Sequence, residues 1–95
     1  VSEAGALTLA RFEPLVGSRF MLWLDDETGL PAQLIEARAA PASSSGFSLT
    51  FEGPPEPALP QHIYRLQHPQ LEALDLFLVP VARTPGALLY EAVFG

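Results

Sequence analysis

The sequence predicts an all-β fold, a small antiparallel β-barrel or sandwich of about six strands with a short N-terminal helical turn. Three observations lead there. Apolar residues recur at every second position along several short segments, the spacing that lines one face of a strand. Those segments are separated by Asp-, Gly- and Pro-rich stretches, and nowhere does strand alternate with helix as a parallel sheet requires. The densest apolar run, Leu74 to Phe94, reads as two strands joined by a Pro-Gly turn, and the rest of the chain is organised around it.

Residues 1–6 are small and weakly patterned and are expected to form a loose arm. Thr8 is placed to cap a helical turn over Leu9–Glu13, which Pro14 should stop. Leu9 and Phe12 lie three apart and would share a face able to plug the end of a barrel.

The first strand is Ser18–Asp25, with Phe20, Leu22 and Leu24 inward and Met21 and Trp23 outward. Asp26 to Gly29 has hairpin composition, Gly29 being free to take a positive φ. Leu30–Ala39 should pair back, with Leu30, Ala32 and Leu34 on one face and Gln33, Ile35 and Ala37 on the other. A helix competes there, since Ala, Gln, Leu, Glu and Arg are good helix formers. The clear hairpin partner and the lack of a following cap favour the strand. Pro41 to Gly46 reads as a flexible connection.

Phe47–Glu52 is the cleanest alternation, with Phe47, Leu49 and Phe51 inward. Residues 53–61 are too rich in proline for regular structure and should form a stiff, extended loop. His62–His68 follows as a strand with Tyr64 and Leu66 inward. Leu74–Val81 is apolar on both faces, and Pro80, lacking an N–H, suggests an edge or bulge near its end. Ala87–Phe94 closes the chain with Leu88, Tyr90 and Ala92 on one face. All 95 residues are expected to form a single β-domain.

Composition excludes much. Eleven carboxylates face five arginines and no lysine, and the arginines are scattered singly, so neither nucleic acid nor an anionic membrane is an expected partner. The missing lysine rules out Schiff-base chemistry, and the missing cysteine rules out disulfides, thiolate metal sites and a cysteine nucleophile. No apolar run approaches the ~20 residues of a membrane-spanning helix. Residues 1–10 have neither the basic start nor the apolar core of a secretory signal, so a soluble protein, cytoplasmic or assembled into a particle, is expected.

No catalytic constellation emerges, and neither a cofactor nor a metal is expected. His62 and His68 sit six residues apart in a strand, roughly 20 Å, too far to share a metal, and are read as exposed strand-end residues. Asp25, Asp26 and Glu27 lack the ligand spacing of a calcium loop and read as a solvated turn. Glu36, Glu52 and Glu91 can share an outer face, where glutamates usually serve solubility. Ser43 to Ser45 has linker composition rather than the strand–turn–helix setting of a nucleophile elbow.

Five blocks, FEPLVG with Phe20, FSLTFEGP from Phe47, IYRLQHP from Ile63, FLVPV from Phe77 and YEAVF from Tyr90, carry a resemblance over nearly the whole chain. They resemble a family of small bacterial β-domains of about this length labelled as a domain of unknown function. The resemblance implies a role in a phage-tail-like particle, because members are encoded beside phage-tail-collar-type proteins. It implies no catalytic residues.

A non-enzymatic structural or interaction module is therefore expected, with a protein partner or a second copy of the chain. Its contact candidates are Met21, Trp23, Leu76, Leu78 and the loop residues Pro55 and Pro57. Cover from the Pro-rich loop or the Leu9–Phe12 turn is the competing explanation for Met21 and Trp23. The alternative function is a ligand-binding barrel whose small apolar pocket is lined by Phe51, Tyr64 and Tyr90.

Overall fold

Six strands pair antiparallel throughout and close on themselves: β1 (Arg19–Trp23), β2 (Gly29–Ala39), β3 (Phe47–Gly53), β4 (His62–His68), β5 (Leu71–Thr84) and β6 (Ala87–Phe94), in the spatial order β1-β2-β3-β6-β5-β4. The computed structural model describes residues 8–39 and 46–94. The expected loose arm (1–6) and most of the connection 41–46, Ser43 to Ser45 included, lie outside them. Two three-stranded meanders, β1-β2-β3 and β4-β5-β6, are thus joined edge to edge, and closure leaves no continuous open edge.

The interior is filled by the alternation read from the sequence. Phe20 and Leu22, Ala32 and Leu34, the Phe47–Leu49–Phe51 set, Tyr64 and Leu66, and Leu88, Tyr90 and Ala92 all bury their side chains there. The strand reading of residues 30–39 holds. A bulge between Leu34 and Glu36, however, reverses the faces beyond it. Ala37, expected to face outward with Ile35, instead lies opposite the buried Leu49 and packs on the core.

The inward face of β5 also differs from expectation. Leu76 and Leu78, proposed as contact residues, are 4% and 0% exposed and belong to the core. Both faces of this strand are apolar, so alternation could not assign them. Register to β4 does: Tyr64 opposes Leu76 and Leu66 opposes Leu74, and side chains opposite each other share a face. Phe77, Val79 and Val81 are turned outward, and the irregularity expected near Pro80 is a register shift between Pro80 and Ala82.

Each end of the barrel is plugged. At one, α1 (Leu9–Phe12) runs into a 3₁₀ turn, Glu13–Leu15, that accommodates Pro14 in its first turn rather than stopping there. Thr8 occupies the N-cap position but makes no side-chain cap bond. Phe12 is fully buried, its ring 6.0 Å from Phe47 and 6.1 Å from Phe94, whose own rings stack at 4.4 Å. Gly17 then takes a positive φ, 94°, which lets its N–H reach the Leu34 carbonyl and starts the β1–β2 ladder.

At the other end the Pro-rich loop crosses from β3 to β4 and pushes Leu59 into the core. Two tyrosines pin it. The Tyr90 hydroxyl accepts the Leu59 N–H at 3.1 Å, and the Tyr64 hydroxyl donates to the Pro60 carbonyl at 2.6 Å.

Candidate functional site

Strands β1, β4 and β5 lie side by side, and their outward residues form one face. Its middle row runs from Trp23 to Arg65 to Asp75, with Arg65 Nε 3.1 Å from an Asp75 carboxylate oxygen. On one side is the pair Ile63 and Phe77, directly opposed; on the other, Met21 opposite Gln67. Ile63 and Phe77 are 59% and 51% exposed, and Val81 on β5 and Val93 on β6 are 51% and 72% exposed. An apolar surface of this extent, crossed by a single ion pair, has the mixture of aromatic, Met and Arg side chains found at protein contacts.

Met21 and Trp23 hold their places for a local reason. Gly29, opposite Trp23 in the β1–β2 ladder, has no Cβ, and both side chains lie over it. A Cβ built there would sit 2.7 Å from the Met21 sulfur and 3.1 Å from the Trp23 ring. Gly29 thus serves close approach rather than the positive φ expected of it. The Trp23 indole N–H is satisfied by the Gln67 side-chain carbonyl at 2.8 Å. Trp23 is half-buried by Gly29 and the neighbouring strand, and Met21 stays 37% exposed.

The remaining predicted residues separate. Pro55 is half-buried and Pro57 exposed on the loop at the barrel end, with a cis peptide before Pro57, while Leu76 and Leu78 are interior. Phe51, Tyr64 and Tyr90 do face a common interior, but it is occupied. Phe51 packs edge-on against Phe20 at 5.3 Å, and both tyrosine hydroxyls are engaged by the loop. Sequence reasoning missed Ile63 and Phe77; the signal that reveals them is the β4–β5 register, since the inward Tyr64 and Leu66 force their neighbours out.

Of the two histidines, His62 is exposed as expected, but His68 is buried. Its ring lies 4.6 Å from Phe20, its Nδ1 accepts the Gln70 N–H at 3.0 Å, and its Nε2 lies 2.9 Å from Ser18 Oγ. A backbone N–H can only donate, so Nδ1 is unprotonated and Nε2 carries the hydrogen. Ser18 Oγ therefore accepts from His68 and donates to the Leu15 carbonyl. This is the reverse of a nucleophile-activating pair, in which imidazole takes the serine proton. The arrangement ties the plug turn to the end of β4.

Acidic groups do not build a site either. Asp25 Oδ1 accepts the N–H groups of Glu27 and Thr28, both at 2.8 Å, and those bonds hold its carboxyl below the usual range. Glu36 and Glu91 flank Thr50 across β2, β3 and β6, and Glu36 is paired with Arg38. Among the described residues no three His, Asp or Glu side chains gather as metal ligands, and no helix is long and apolar enough to cross a membrane.

The family model described as Domain of unknown function (DUF6916) matches residues 7–94, and the chain belongs to that family. No curated protein and no solved structure matches it.

Proposed function

We propose that this member of the family is a non-enzymatic structural or protein-interaction module that docks through the outer face of β1, β4 and β5. The observation that carries the reading is the directly opposed pair Ile63 and Phe77, more than half exposed, on the same face as Met21 and Trp23. Large apolar side chains presented together gain most when another surface covers them, and a few such residues supply most of the energy of a contact. The reversed polarity of Ser18 and His68 argues in the same direction, because it leaves the serine without a base.

The partner is a protein or a second copy of the chain, and the setting we propose is a phage-tail-like assembly, as the sequence resemblance implies. Light scattering over a range of concentrations tests self-association; co-purification with the products of neighbouring genes tests a tail partner. Phe77→Asp and Ile63→Asp should each weaken association about 30-fold or more, as expected for contact-centre residues. Arg38→Ala, on β2 outside that face, should leave it unchanged. A chain that stays monomeric and co-purifies with none of those products, or an association indifferent to both aspartate variants, would overturn the reading.

A further inference from the structure

A cleft of about 480 Å³ opens where β1 meets the turn between β4 and β5. Met21, Pro69, Leu71 and Ala73 form its apolar walls, and Phe20 and the edge of His68 lie beneath. Its size falls in the range of small-molecule sites, about 300–1,000 Å³.

Besides His68, two polar residues line it, Arg19 and Gln67, and both side chains carry hydrogen donors. Arg19 is exposed and makes no ion pair with any described residue. The Gln67 carbonyl is taken by the Trp23 indole N–H, a contact that fixes the amide orientation and leaves its NH₂ without a partner among the described residues. Both His68 nitrogens are already used, by Gln70 and Ser18. No carboxylate lines the cleft. The open side-chain valences are thus donors only, one of them cationic, beside an apolar wall.

We infer that this cleft binds a small amphipathic carboxylate, its anionic end on Arg19 and the Gln67 amide and its hydrocarbon end along Met21, Leu71 and Ala73. A guanidinium supplies paired donors that match a carboxylate, and an alkyl chain displaces water from the wall. The inference does not rest on the docking role: the cleft shares Met21 and Gln67 with that face, but Arg19, Leu71 and Ala73 are not among its docking residues.

Trp23 makes the test direct, since its indole is bonded to a residue of the cleft. The isolated domain is titrated with sodium octanoate, following Trp23 fluorescence and backbone amide NMR shifts. Saturable shifts centred on Gln67, Leu71 and Ala73 are expected. Octanoate should bind about tenfold more tightly than hexanoate, from two more buried methylenes. It should also bind about tenfold more tightly than 1-octanol, from the charged hydrogen bonds. Arg19→Gln should erase the preference over octanol, and Ala73→Trp should abolish binding while leaving the melting temperature unchanged. Absence of saturable shifts, equal binding of octanol and octanoate, or a preference for the C-terminus of an acetylated dipeptide over octanoate would each overturn the proposal.

Discussion

Replacing Tyr90 by Phe removes one oxygen atom, and the structure says what that atom does. The Tyr90 hydroxyl is the acceptor for the Leu59 N–H at 3.1 Å, inside the barrel end, where Leu59 and Tyr90 are 8% and 2% exposed. Tyr90→Phe leaves that donor buried with no acceptor, which costs about 1–3 kcal/mol. For a domain of this length each kcal/mol lowers the melting temperature by roughly 4–8 °C, so a fall of about 10 °C is expected. Tyr64→Phe is the matched comparison. Its hydroxyl donates to the Pro60 carbonyl, and Pro60 is exposed, so water can replace the lost donor and the cost is the net worth of one hydrogen bond, about 0.5–1.5 kcal/mol. Thermal and urea unfolding of the two variants, with hydrogen exchange at the Leu59 amide, separates them. Tyr90→Phe should unfold first and should alone lose protection at Leu59. Equal stabilities, or an equally protected Leu59 amide in both, would refute the assignment of Tyr90 as the anchor of the loop.

Gly29→Ala should lower the urea midpoint, although Gly→Ala in a strand ordinarily favours folding by about 0.5–1 kcal/mol. The new Cβ meets the Met21 sulfur at 2.7 Å and the Trp23 ring at 3.1 Å, so a red-shifted Trp23 emission should accompany the loss. Burial, and then the electrostatic interaction with Tyr90, raise the Tyr64 pKa. The folded state therefore holds that proton more tightly, and the associated stability is complete below the unfolded pKa, about 10, and is lost as pH rises through the folded value. Unfolding midpoints measured at alkaline pH should decline less steeply in Tyr64→Phe. Asp25 has the opposite sign: its lowered pKa contributes stability above the unfolded value that disappears as pH falls through the folded one. Asp25→Asn should flatten that part of the acid limb, and an unchanged limb would count against the turn bonds as its cause.

Much of this barrel was legible because alternation has a sign wherever one face is polar. Phe47–Leu49–Phe51 against Ser48, Thr50 and Glu52, and Tyr64–Leu66 against Arg65 and Gln67, each assign their own inward side, and the structure agrees. On β5 both faces are apolar, so the pattern is silent and only the pairing of Tyr64 with Leu76 decides it. The bulge after Leu34 changes faces in mid-strand without altering the local composition. His68 looked like a strand-end residue because nothing in its neighbourhood along the chain shows that Ser18, fifty positions away, will meet it.

By itself, then, the sequence determined the element types, the plug residue Phe12 and the interior set on four of the six strands. These follow from local spacing and composition, which the chain carries before it folds. Tertiary structure decided which face of Leu71–Thr84 looks outward, that Met21 and Trp23 rest on Gly29, and that Arg19 and Gln67 share a cleft. Each depends on register between strands distant in sequence, and register is a property of closure rather than of any one segment.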